Sequence, residues 1–334
     1  MSGRKAGEPI LVRTSERASF LKCRQSWYWS YVERLRAPKP DAKLVFGDLV
    51  HQALAAYYIP GRKRGPHPAS TFVELCDKKV NEEQETTLWV EDEVVDIRDL
   101  GEAILKRYVD HWQEADKEYE ILSSEQTFQV PIGRIDGRKV FYVGTIDGVW
   151  RSRITSKIRF AEHKTATAIS ESALPMDEQV GAYWTFGPRW LRLKGILKED
   201  ETIDGILYNW LRKAVPNPNA LTDAHGRVLK KDGSPSKRQP PPYFYRRLTF
   251  RGNHEAEVVK KRVRLQVRDM EAARREPDSQ VYKNPGPQFM PNCKFCSFKD
   301  MCELHETGND WEAFKKAAYG IWSPYSAHER IERR

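Results

Sequence analysis

The chain has 334 residues, is 40% hydrophobic and 31% charged, and carries a formal net charge of +9. A mean hydropathy of −0.70, ten Trp and no apolar run of bilayer length exclude a membrane-embedded or disordered chain and leave room for one large core or two smaller ones. Charge is uneven: residues 65–130 hold 17 acidic and 6 basic side chains, whereas residues 212–275 hold 17 basic and 6 acidic, a surplus that suits a polyanion such as nucleic acid.

The opening "MSGRKAGEPI" lacks the apolar centre of a secretory signal, so a cytoplasmic protein is expected. "TSERASFLKCRQSWYWSYVERL" predicts a helix with Thr14 or Ser15 as its cap, and "VFGDLVHQALAAYY" predicts a second. "PGRKRGPHPAS" reads as a loop, and residues 71–120 as an acidic helical region. From Glu125 the period changes. Phe128, Val130 and Ile132 alternate, Asp136-Gly137 signals a two-residue hairpin, and "KVFYVGTIDGVW" continues as a strand.

A third strand, "SKIRFAEHK", places Ile158, Phe160, Glu162 and Lys164 on one face and His163 on the other. "PMDEQVGAYWTFGPRWL" predicts a helix and "TIDGILYNWLRKA" a strand. Residues 214–242, with six Pro, predict a loop; strand "YFYRRLTF" and a basic helix over about residues 254–275 complete the body.

Five cysteines in an intracellular chain point away from disulfides. "CKFCSFKDMC" spaces Cys293, Cys296 and Cys302 so that one loop can wrap a metal or cluster, and Cys23 in "FLKCRQSWYW" is the better fourth ligand. Cys76 reads as a small apolar residue on a helix. Four thiolates suit tetrahedral zinc or a four-iron cluster, and spacing alone favours neither.

Asp147 lies near the end of the second strand, Glu162 and Lys164 at the end of the third. Two carboxylates can hold a hard divalent cation, which lowers the pKa of a bound water, while an ammonium orients that water and offsets phosphate charge. Alone, this spacing is weak, because acid–base pairs on exposed strands are commonly solvated. His51, on a helix otherwise suited to the core, can complete a metal shell, although such a histidine is more often a packed core residue. Gln179 and Tyr183 share one helical face and can reach a phosphate or nucleotide together.

Taken in order, Cys23, "GDLVH", "GTIDG", "AEHKTA", "QVGAY" and "CKFCSFKDMC" resemble the RecB-like branch of the PD-(D/E)XK nucleases, especially CRISPR-associated and phage-borne exonucleases with an iron-sulfur cluster. The resemblance implies an α/β, restriction-endonuclease-like fold with a mixed central sheet flanked by helices. It divides the chain into a helical N-terminal region (1–124) carrying Cys23 and His51, a nuclease core (125–280), and a C-terminal iron-sulfur segment and tail (281–334). Asp147, Glu162 and Lys164 resemble the catalytic residues. His51, Asp147, Glu162 and the backbone carbonyl of His163 resemble the metal ligands, and Gln179 and Tyr183 the DNA-holding pair. Cys23, Cys293, Cys296 and Cys302 resemble the ligands of a 4Fe-4S cluster, which becomes preferable to zinc. Glu125 is a poor match to an accessory acid, and Ile146 stands where the family often has Pro before the aspartate.

The function implied is a Mg2+- or Mn2+-dependent DNA exonuclease acting on single strands or free ends in recombination or repair. Such an enzyme is expected in a bacterial or phage-infected cell, with a recombinase or helicase as possible partner. A histidine ligand tilts the metal towards Mn2+. The basic region 212–275, with Trp184 and Tyr243, is expected to track a strand by charge and stacking. The rivals are a catalytically inactive DNA-binding or recombination scaffold and a zinc-stapled endonuclease.

Overall fold

The computed structural model describes residues 8–37, 42–83, 91–217, 219–223, 227–288 and 291–326, so the polar leader and the extreme C-terminal tail lie outside the described residues. In chain order, strand β1 (Ile10–Val12) precedes helices α1 (Thr14–Lys22) and α2 (Arg24–Trp27), the short strand β2 (Leu35–Arg36), and helices α3 (Ala42–Tyr57), α4 (Pro68–Glu83) and α5 (Glu91–Trp112). Strands β3 (Tyr119–Ile135), β4 (Arg138–Ser152) and β5 (Ile158–Ala166) follow, then α6 (Glu178–Leu193), β6 (Ile203–Arg212), β7 (Phe244–Thr249) and α7 (Asn253–Arg275). The C-terminal segment adds α8 (Pro277–Gln280), α9 (Lys299–Thr307), α10 (Trp311–Ala318) and β8 (Gly320–Ile321).

Asp136 and Gly137 both take positive φ, 48° and 75°, the conformation of a two-residue type I′ turn. Strands β3 and β4 therefore pair antiparallel from Ile135↔Arg138 onward. Between Pro131 and Gly133 the β3 strand gains one residue on its partner. Pro131 cannot donate to the ladder and Gly133 takes φ 133°, so a bulge belongs here. Past the bulge, Glu125 falls between the pairs Ser124↔Gly148 and Gln126↔Ile146, and thus opposite Asp147.

The sheet runs β1-β4-β5-β6-β7, with β3 also paired to β4. The β1–β4 and β5–β6 pairs are parallel; β3–β4, β4–β5 and β6–β7 are antiparallel. A parallel pair needs a crossover, and α6 makes it between β5 and β6. Alternation sorts the two faces. Phe160, Tyr208 and Trp210 pack with Val180 of α6 and Val259 of α7, whereas Ala161, Leu207 and Leu211 pack beneath Leu54, Phe72 and Leu105 of α3, α4 and α5. The expected mixed sheet flanked by helices is the fold observed.

Three local expectations change. The first helix has Arg13, not Thr14 or Ser15, at its cap position, because the Thr14 hydroxyl finds a tertiary partner 2.5 Å away in Tyr142. That helix also breaks at Cys23 (φ −160°, ψ 113°) before α2 and a π-helical turn over Tyr28–Val32. Strand β3 starts at Tyr119, inside the segment read as helical to residue 120, and buries Tyr119, Ile121 and Ser123 in alternation. The Pro-rich segment between β6 and β7 is irregular where described, crossed by the bridges Thr222↔Val228 and Leu229↔Pro235. Among the described residues no helix is long and apolar enough to cross a membrane.

Candidate functional site

The period of two along β5 points Glu162 and Lys164 towards α6 and His163 towards α3–α5, as the sequence predicts. Asp147 arrives from β4, 5% exposed, and its Oδ2 accepts the backbone N–H of His163 at 2.8 Å, which ties the two strands at the site. His51 comes from α3. A Cβ on Gly47 would stand 3.2 Å from the Thr165 hydroxyl, so glycine lets α3 lie close against β5 and delivers His51 one turn later. Its Nδ1 is 3.2 Å from Asp147 Oδ1 and 3.9 Å from Glu125 Oε1.

Glu125 is the residue that sequence reasoning undervalued. Its φ of 46° lies in the left-handed region, where a residue other than Gly costs on the order of 1–3 kcal/mol. The donor atoms of His51, Glu125 and Asp147 all lie within 4.8 Å of one another. One imidazole nitrogen with two carboxylate oxygens fits a divalent cation of the Mn2+ or Mg2+ kind.

The electrostatics reinforce that fit. Burial opposes charge on His51, yet Asp147 outweighs it and lifts the pKa to about 9. Burial would raise Asp147, but His51 holds it below the usual carboxylate range. Burial and the Asp147 charge push Glu162 up to about 8, with Lys164 opposing. Burial and Asp147 also push Glu125 up to about 7. Three carboxylates share one pocket with a histidine and a lysine, and burial with the Asp147 charge raises two of them, Glu125 and Glu162.

Lys164 is held on all sides. Its ammonium donates to Glu162 Oε1 at 2.6 Å and to Gln179 Oε1 at 3.3 Å, and Asp177 Oδ2 is 3.6 Å away. Burial works against the charge, but Glu162 and Asp177 raise the pKa above its ordinary value. Gln179 Nε2 in turn donates to the Tyr183 hydroxyl at 2.7 Å. Tyr183 is 6% exposed and fits because Gly144 faces it: a Cβ there would approach its ring to 3.0 Å. Asp177, not singled out from the sequence, caps α6 by accepting from the N–H groups of Gln179 and Val180. It also accepts from the Tyr208 hydroxyl at 3.3 Å. Arg251 donates to the carbonyls of Leu174 and Asp177, fixing the turn that presents this cap.

Behind the strand lies a buried polar network that the sequence reading missed. His163 stacks on Tyr58 at 5.8 Å, and its Nδ1 is 2.8 Å from Asn209 Nδ2, which also donates to the Tyr108 hydroxyl. Arg246 donates to Asn209 Oδ1 and to Asp116. Burial holds the His163 pKa down to about 3, so its ring is a neutral strut. His163 touches the site twice: its backbone N–H donates to Asp147, and its ring lies edge-on to the His51 imidazole, centroids 6.0 Å apart.

The four cysteines meet at the other end of the chain's path. Cys23, Cys293, Cys296 and Cys302 line one cavity of about 760 Å³. The Asn284 N–H reaches the Cys23 sulfur at 3.4 Å, and Cys296 lies 3.9 Å from the Ser26 hydroxyl. Burial first, then the neighbouring thiols, raises the pKa of Cys293. Four thiols lining one cavity, one with a backbone donor, offer the donor set of a thiolate-ligated metal or cluster. Cys76, on α4, is 3% exposed and belongs to the core cluster that α3 and α5 share. Trp184 and Tyr243 lie on opposite faces of the sheet, so they do not line a single track.

A mixed sheet carrying carboxylates, a lysine and a histidine on adjacent strand ends and a flanking helix defines a nuclease of the restriction-endonuclease-like kind. Residues 14–303 match the family model of the PD-(D/E)XK nuclease superfamily, and the chain belongs to that superfamily. Among solved structures it is similar to a protein of Eubacterium rectale described as "Putative exonuclease", at 11% identity over 88% of each chain and a TM-score of 0.46. No curated protein matches the sequence.

Proposed function

We propose that the protein is a divalent-metal-dependent DNA exonuclease of the RecB-like branch, acting on single strands or free ends in recombination or repair. The observation that carries the reading is the meeting of His51, Glu125 and Asp147 within 4.8 Å beside a Glu162–Lys164 pair at 2.6 Å. A bound Mg2+ or Mn2+ would supply Lewis acidity and a more acidic water. His51, Asp147, Glu162 and the carbonyl of His163 are the proposed ligands, with Glu125 added to them. Lys164, charged and aimed by Glu162, Asp177 and Gln179, neutralises the phosphate as charge develops on it. Gln179 and Tyr183 hold the lysine and border the DNA.

In the same reading Cys23, Cys293, Cys296 and Cys302 hold a 4Fe-4S cluster that staples the N-terminal and C-terminal segments. Iron and sulfide analysis of anaerobically purified protein tests it, and zinc in their place overturns it.

The activity test is digestion of 5′-labelled and 3′-labelled single and double strands with Mn2+ or Mg2+. Wild type is expected to release nucleotides only with metal, and Lys164→Ala to be slower by about 10²-fold or more. Equal rates overturn the assigned site. DNA binding by wild type with no product under any metal favours the scaffold.

A further inference from the structure

A second concave surface lies outside the site. The β3–β4 hairpin end, α6 and α7 enclose a groove of about 1150 Å³. Arg134 comes from β3, Arg189 from α6, and Lys261, Arg264 and Arg268 from α7. The last three recur at the i, i+3, i+7 positions of one helical stripe, away from Val259, Val263 and Val267, which α7 buries in the core. All five cations are exposed.

Two carboxylates line the groove, and both are engaged: Glu257 pairs with Lys260 at 2.7 Å, and Asp136 pairs with Arg275. Among the described residues no carboxylate pairs with any of the five. A solvated surface normally intersperses charges of both signs. Five of one sign facing one concavity repel each other and concentrate an anion there. The groove is also joined to the site. Helix α6 runs from Gln179, at the Lys164 amine, to Arg189 on the groove wall, and ten residues of helix span about 15 Å.

We infer that this groove is an exosite for the phosphodiester backbone of the nucleic acid, gripping the part of the substrate that lies about 15 Å beyond the nucleotides at Lys164. The inference rests on the nuclease reading above. Because the contacts are to phosphates, the groove sets affinity and salt dependence and carries no sequence preference.

The test compares wild type with the triple variant Lys261→Ala/Arg264→Ala/Arg268→Ala, binding labelled 4-mer and 30-mer strands, single and duplex, without metal and over a salt series. The 30-mer is expected to bind the variant about tenfold or more weaker, with a salt slope shallower by about 2–3. The 4-mer offers the groove fewer phosphates than the 30-mer, so it loses less affinity in the variant. The single-stranded and duplex arms show which form the groove holds. Unchanged 30-mer affinity and slope overturn the inference, as does equal weakening of the 4-mer. The side chains are exposed, so a thermal melt is expected to match wild type. Metal-free binding keeps the outcomes separable: loss of the Lys164 effect on digestion would sink the site and leave the groove standing or falling on its own measurement.

Discussion

Glu125 faces Asp147 directly across the β3–β4 ladder, an arrangement of like charges that a sheet normally avoids. The His51 imidazole lies between them and contacts both. Together the three side chains offer a cation two carboxylates and one imidazole nitrogen.

Glu125→Gln removes one of the opposed charges while keeping the shape. The metal-free protein is expected to gain about 0.2–1 kcal/mol of stability, and Mn2+ affinity to fall about 10- to 100-fold. Urea melts and calorimetric titration of Mn2+ measure the two; a less stable metal-free variant that binds Mn2+ normally refutes the assignment.

The site also sets a pH dependence. Glu125, at about 7, and Glu162, at about 8, are raised from an ordinary 4.5, and His51, at about 9, is raised from 6.5. In each case the folded protein holds a proton that the unfolded chain has released. Metal-free stability therefore falls as pH rises from about 4.5 to about 9. Metal competes with these protons, so Mn2+ affinity rises over the upper part of the same window. Melting temperatures with and without Mn2+ at pH 6 and pH 9 are expected to differ more at pH 9.

Asp177 separates a structural role from an electrostatic one. Asp177→Ala loses the α6 cap and about 1 kcal/mol of stability, whereas Asp177→Asn keeps the cap to within about 0.5 kcal/mol. Both remove the charge that helps hold Lys164, so both are expected to slow cleavage, by about tenfold or ~1.4 kcal/mol. Thermal melts and single-turnover digestion distinguish the two losses.

Behind the site, Arg246 is 8% and Asp116 4% exposed. Arg246→Met strands the Asp116 charge in the interior and is expected to cost about 3–5 kcal/mol, while adding Asp116→Leu recovers part of it. Urea unfolding of both variants checks this.

What could be read in the sequence followed from local periodicity. The Asp136-Gly137 turn, the alternation that puts Glu162 and Lys164 on one side of β5, and the helical spacing of Gln179 and Tyr183 all depend on neighbours in the chain. Glu125 shows where that reasoning stops. Counted back from the turn without interruption, Gln126 would face Asp147; the bulge at Pro131–Gly133 moves Glu125 into that place. Pro131 and Gly133 were the available signal. The Arg246 network offered none, because its members meet only after strands and helices from 58 to 246 have packed. The three-residue strand β1 is too short to show a period at all.

The break at Cys23 has a consequence for biosynthesis. Its extended backbone turns that sulfur towards a cavity whose other thiols come from Cys293, Cys296 and Cys302. With 270 residues between Cys23 and Cys293, a ribosome adding ~5–20 residues per second needs roughly 15–55 s to supply the first of them. Throughout that interval Cys23 is without the three thiols that share its cavity, and the proposed cluster can close only after Cys302 has been made.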